Sequence, residues 1–93
     1  MKKIILVDAI HTLIIPDKGI YDPLFNLLET YSNRKIVLTG ANDKEFSEHG
    51  LDKISYEVFS LKHNPEKSDP NYYKILLEKL DLAVETLVYI EHN

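Results

Sequence analysis

The residue best placed to do chemistry is Asp8. The apolar run Ile4-Ile5-Leu6-Val7 delivers it into a short polar gap that continues through Thr12 to the apolar Leu13-Ile14-Ile15. A strand of that kind presents one carboxylate at the rim of a sheet, and open α/β sheets bind ligands in the crevice at the carboxyl ends of their strands. The bland alternative is a solvated acid capping a loop. Two residues on, Ile10 stands where a second acid would be expected if Asp8 were a phosphate-transfer nucleophile with an acid/base partner. Three further polar positions stand at the ends of apolar segments. They are Thr39 after Ile36-Val37-Leu38, Lys67 ahead of a helical stretch, and Glu91-His92 after Leu87-Val88-Tyr89-Ile90. Thr-Gly after a strand is common turn chemistry and most lysines are solvated surface charges, so the signal lies in the order of the four.

The elements that must position these residues read as alternating strands and helices. Ile4 to Val7 is a continuous apolar run, which suits a central parallel strand buried on both faces. After the turn signal Pro16-Asp17-Lys18-Gly19, Asp22 is expected to cap a helix with Pro23 at its first position. That helix has Leu24, Leu27, Leu28 and Tyr31 on one face and ends near Ser32-Asn33. Ile36-Val37-Leu38 is a second buried strand closed by Thr39-Gly40. Asn42 then caps a short helix running to about His49, stopped by Gly50. Ile54 to Leu61 reads as a third strand. Ser68-Asp69-Pro70 starts a helix carrying Tyr73, Leu76, Leu77 and Leu80, and Thr86 to Ile90 is the last strand. Such alternation implies right-handed parallel βαβ crossovers.

Composition excludes several classes of function. The 93 residues make one domain, and 44% apolar with 28% charged residues is the balance of a globular protein. A net charge of −4 with interspersed Lys and Glu gives no basic surface for tracking a nucleic-acid backbone. Cysteine is absent, which removes disulfides, thiolate metal sites and a Cys nucleophile. The apolar runs are strand-sized, far short of the roughly 20 residues that span a bilayer, so no membrane partner is expected and the cytoplasm is the default location. The last strand stops three residues after its apolar core, so the sheet could be truncated there, with an exposed edge open to self-association.

In their order and neighbours, the four positions resemble the motifs of the haloacid dehalogenase-like (HAD) superfamily, a Rossmann-like fold that mostly hydrolyses phosphate esters through an aspartyl-phosphate. Its first motif, Asp-x-Asp-Gly-Thr-Leu after an apolar strand, aligns with Asp8-Ala9-Ile10-His11-Thr12-Leu13 and makes Asp8 the nucleophile. The second, a strand ending in Ser or Thr, aligns with Thr39-Gly40, whose hydroxyl would bind the phosphoryl group. The third, a lysine before Pro-Asp-Pro and an aromatic, is similar to Lys67-Ser68-Asp69-Pro70-Asn71-Tyr72-Tyr73. Lys67 would then neutralise nucleophile and phosphate together. The fourth, two magnesium-holding acids after a strand, is represented by Glu91-His92. The resemblance implies magnesium held by Asp8, the Ile10 carbonyl and Glu91.

The departures each have a chemical meaning. Ile10 can neither protonate a leaving oxygen nor activate water. His11 stands where a glycine lets the loop turn tightly, and His92 substitutes a neutral nitrogen for a hard oxygen anion, which suits magnesium poorly. His11 and His92 with Asp8 or Glu91 could instead form a transition-metal site, while His49 and His63 read as surface residues and the tyrosines as core edge. The sequence thus implies a Rossmann-like three-layer α/β sandwich over residues 1–93, with a short parallel sheet in the order 3-2-1-4. No cap domain is expected, because the loop from Ile14 to Ile20 is too short for a lid. Two functions stay open: a magnesium-dependent phosphohydrolase of impaired activity acting on a small phosphorylated molecule, and a catalytically inactive relative serving as a binding or interaction module.

Overall fold

The apolar runs and their caps become, in chain order, β1 (Ile4–Asp8), β2 (Ile14–Ile15), β3 (Gly19–Ile20), α1 (Asp22–Glu29), β4 (Lys35–Leu38), α2 (Asp43–Glu48), β5 (Glu57–Phe59), α3 (Pro70–Lys79) and β6 (Leu87–Ile90). Single 3₁₀ turns at Leu51–Lys53 and Val84–Thr86 precede β5 and β6. These elements come from a computed structural model that describes residues 3–91. β1, β4, β5 and β6 form one parallel sheet, and β2 pairs antiparallel with β3 in a separate hairpin.

β1 is the strand on which the rest is built. It pairs with β4 on one edge, Val7 opposite Val37, and with β6 on the other, Val7 opposite Ile90. Successive side chains of a strand face opposite ways, so each face of β1 feeds its own core. Ile5 and Val7 join Leu13, Leu28, Val37, Leu51 and Ile54 under α1 and α2, while Leu6 joins Ile36, Leu38, Phe59, Tyr72 and Leu76 under α3. The molecule is therefore an α/β protein with helices on both faces of a parallel sheet.

Several local expectations are corrected. The segment Ile14 to Ile20 is no plain loop. Positive φ at Asp17 (67°) and Gly19 (91°) reverses the chain, so Ile14 pairs with Ile20 and Ile15 with Gly19. The expected order 3-2-1-4 counted four strands. With the hairpin inserted the described residues form six, and the sheet reads β5-β4-β1-β6. Tyr21, not Asp22, is the N-cap of α1, and its side chain makes no cap hydrogen bond. Asp22 already lies in the first turn, where its charge favours the helix dipole. α1 also buries a different face, Leu24, Phe25 and Leu28, leaving Leu27 49% and Tyr31 47% exposed. The third strand shrinks from Ile54–Leu61 to Glu57–Phe59, because β4 offers it only Ile36, Val37 and Leu38 as partners. The caps of the other two helices follow the sequence. Asn42 and Glu45 form a reciprocal capping box, and the Asp69 side chain accepts the Asn71 N–H at 2.9 Å.

On α3 the innermost pair is Tyr72 and Leu76, one turn apart. The fully buried Tyr72 hydroxyl lies 2.8 Å from the Thr39 carbonyl and 2.9 Å from that of Phe59, and it accepts the Thr39 N–H at 3.2 Å. Burial pushes its pKa up, opposed in part by the Thr39 N–H. One phenol thus ties the ends of β4 and β5 to α3. Among the described residues no helix is long and apolar enough to cross a membrane. Tyr72→Phe removes this tie and leaves buried polar atoms short of a partner, so it should lower unfolding free energy by about 1–3 kcal/mol. Urea denaturation would measure this, and a loss below about 0.5 kcal/mol would show that the hydroxyl is dispensable.

Candidate functional site

The site is assembled by strand register. Asp8 is opposite Leu38, the last residue of β4, so Thr39 and Gly40 begin the turn directly beside it. On the other edge Glu91 follows Ile90, the partner of Val7, which sets its backbone level with Asp8. The ladder is locked at its end. The Ala9 N–H donates to the Leu38 carbonyl at 3.0 Å and the Thr39 N–H to the Phe59 carbonyl at 3.1 Å. Asp8, Thr39, Gly40 and Glu91 therefore share one rim.

Beyond Asp8 the chain folds around one carbonyl. The N–H groups of Leu13 and Ile14 donate to the Ala9 oxygen at 3.0 and 2.8 Å, and His11 donates to the Ile14 oxygen at 2.7 Å. His11 takes φ 67°, the left-handed region, at the position where the resemblance expects glycine. For a non-glycine residue that conformation costs about 1–2 kcal/mol. The Thr12 hydroxyl oxygen is buried with no hydrogen-bond partner. Ile10 is half-buried, packs against the core below α1 and makes a one-residue bridge to Ile14.

Lys67 reaches across from the loop before α3, and its ammonium donates to Asp8 Oδ1. The two side chains are 26% and 15% exposed, so the pair sits partly out of water. The Tyr89 hydroxyl donates to the same oxygen at 2.7 Å, and Lys67 Nζ lies 3.3 Å from that hydroxyl. Tyr89 has one hydroxyl proton and Asp8 takes it. In its 3.2 Å contact with Tyr73 it is therefore the acceptor. Burial pushes the Tyr89 phenol well above its usual range, reinforced by its bonds to Tyr73 and Asp8.

Gly40 lies against both Lys67 and His63. A Cβ built on it would sit 3.5 Å from Lys67 Cβ and 3.5 Å from His63 Nδ1. Thr39 is 3% exposed, and its hydroxyl accepts the Ala41 N–H at 3.1 Å. Asp8, Lys67, Thr39 and Gly40 are thus brought together. Glu91 is exposed beside them, and His92 lies outside the described residues. Among the described residues no three His, Asp or Glu side chains converge as a metal-binding group.

Tyr89, Tyr73 and His63 are the residues that sequence reasoning missed. Tyr89 could have been found. It stands opposite Leu6, two residues before Asp8 on the neighbouring strand, so alternation puts its ring on the face from which Asp8 projects. His63 is exposed, as expected of a surface residue, yet both its ring nitrogens are engaged by carboxylates.

A cleft of about 950 Å³ opens on the same side of the molecule, between the β2–β3 hairpin and α2 with its following turn. Ile10, Ile14, Ile15 and Ile20 form its apolar part, and Lys18, Glu45 and His49 are among its polar lining. Asp8 and Lys67 do not line it. Ile10 connects the cleft to the rim.

A double-mutant cycle with Asp8→Asn and Tyr89→Phe should give a coupling free energy of about 0.5–3 kcal/mol in denaturant unfolding, the range for residues in direct contact. Additive effects would mean that the two groups do not interact in solution. Comparison with protein-family models, with curated proteins and with solved structures finds no match.

Proposed function

We propose that this chain is a haloacid dehalogenase-like, Rossmann-like domain whose rim binds the phosphoryl group of a small phosphorylated molecule, with Asp8 as nucleophile and Thr39, Gly40 and Lys67 around the phosphate. The observation that carries this reading is the meeting of Asp8 and Lys67, 59 residues apart in sequence, where β1 and β4 end. A carboxylate attacking a phosphate dianion faces like-charge repulsion, and a lysine touching the carboxylate can offset the charge of both.

Magnesium fits the donor chemistry of Asp8, the Ile10 carbonyl and Glu91. It commonly takes one or two carboxylates and completes its octahedron with water and phosphate oxygens. With so few protein ligands, Asp8, the Ile10 carbonyl and Glu91 would hold the ion mainly together with the phosphoryl group, whose charge it would offset. The acid/base position is filled by Ile10, so proton transfer falls to solvent, at a cost on the order of 10² to 10⁴ in rate. The reaction is slow phosphate-ester hydrolysis through an aspartyl-phosphate.

A second reading, a non-catalytic binding module, is favoured by one specific observation. Asp8 Oδ1 accepts from both Lys67 and Tyr89, and a carboxylate so engaged is a weaker nucleophile. Magnesium with beryllium fluoride tests the binding shared by both readings. It should shift the backbone amides of Thr39, Gly40 and Lys67 in NMR spectra, and Asp8→Asn should abolish the shifts. Unmoved amides would sink the phosphoryl site altogether. Turnover of an aryl phosphate separates the two readings. Ile10→Asp with His92→Asp should raise it by about 10²-fold or more, whereas binding without turnover in either protein would establish the inactive module.

A further inference from the structure

His63 makes an arrangement that only one protonation state satisfies. Its Nε2 lies 2.5 Å from Glu45 Oε1 on α2, and its Nδ1 lies 2.8 Å from Glu66 Oε2 in its own loop. An ionised carboxylate only accepts hydrogen bonds, and a neutral imidazole has a single N–H. Both contacts are hydrogen bonds only when the ring carries two protons. The same ring rests against Gly40, which also lies against Lys67 Cβ.

We propose that His63 is a positioning residue: its doubly protonated ring ties the Lys67-bearing loop to α2 and to the Thr39–Gly40 turn, and deprotonation releases that tie. The loop is built to need one. Lys62 and His63 both take positive φ, 53° and 64°, an unfavourable pair of conformations that surrounding contacts must hold. The other groups around the ring are arranged in the same sense. Lys62 pairs with Asp43 of α2 at 3.1 Å, and the Ser60 hydroxyl donates to the Ala41 carbonyl at 2.6 Å. Glu45 is held below its usual carboxylate range first by the Asn42 N–H and then by His63, with a smaller contribution from the charge of His49. Glu45 and Glu66 raise His63 above the ordinary imidazole pKa of 6.5. The tie is complete below that value and is lost as pH rises through the higher value of the folded state.

The link from this tie to anion binding rests on the proposed function, whereas the tie itself does not. NMR titration of the whole chain from about pH 5 to about pH 9 tests it. The His63 ring should titrate above 6.5, and the Gly40 and Lys67 amides should follow it with the same midpoint. Glu45→Gln should lower that midpoint by about half a unit or more, and His63→Asn should flatten the amide curves. A ring midpoint at or below 6.5, or Gly40 and Lys67 amides that stay flat while His63 titrates, would overturn the proposal. Sulfate, whose charge is constant over this range, serves as the anion probe. Its affinity should fall about fivefold or more above the transition in the native chain and not in His63→Asn. Amides that follow His63 with no sulfate bound at any pH would support the tie and remove the phosphoryl site. Sulfate bound with the same pH dependence in both proteins would overturn the role of His63 in positioning it.

Discussion

A strand hydrogen-bonded on both edges and covered on both faces has nowhere to put a polar side chain until it ends. β1 is such a strand, with β4 and β6 on its edges and separate cores on its two faces. Asp8 is where that constraint stops, and the carboxylate emerges only partly into water. An incompletely solvated charge must be compensated, and Lys67 and Tyr89 do so from two different elements. Lys67 from the loop before α3 and Tyr89 from β6 converge on one oxygen, and Tyr73 touches Tyr89 in turn.

The parts of the rim divide by chemistry. In the proposed reading, groups that would neutralise or cradle negative charge are mutually positioned: Lys67 on Asp8, Gly40 against Lys67, and the Thr39 hydroxyl held in the turn. Proton transfer has no such provision. Ile10 is committed to packing, and the phenol nearest the carboxylate has its proton already bonded to it and a pKa raised by burial. In the proposed reading this imbalance makes a site that holds a phosphoryl group better than it turns one over.

What could be read from the sequence was what depends on chain-local physics. Continuous apolar runs gave β1 and β4 to within a residue, and Asn42 and Asp69 announced their helices because a cap is a contact between near neighbours. Asp8, Thr39 and Lys67 could be placed at one rim because parallel strands separated by helices end on the same side. What could not be read depended on who the partner is. The length of β5 is set by β4, and the buried face of α1 by the sheet beneath it. The hairpin depends on Asp17 and Gly19 taking positive φ in a segment whose turn signal is equally compatible with a simple loop. His63 was invisible for the same reason, since Glu45 lies 18 residues away and no periodicity connects them.

The hairpin sets how readily this architecture can vary. Its tip, Pro16-Asp17-Lys18, is exposed and belongs to neither core, while its base is anchored by the buried Ile14 and the partly buried Ile20. That tip also walls the large cleft beside Ile10. The entropic cost of closing a longer loop rises only slowly with its length, about 0.6 kcal/mol per doubling. Residues added between Ile15 and Gly19 would deepen or roof the cleft while leaving the four-stranded sheet and the Asp8 rim untouched. The shape of the cleft and the packing of the sheet are thereby assigned to separate stretches of chain, and the first can be altered almost independently of the second.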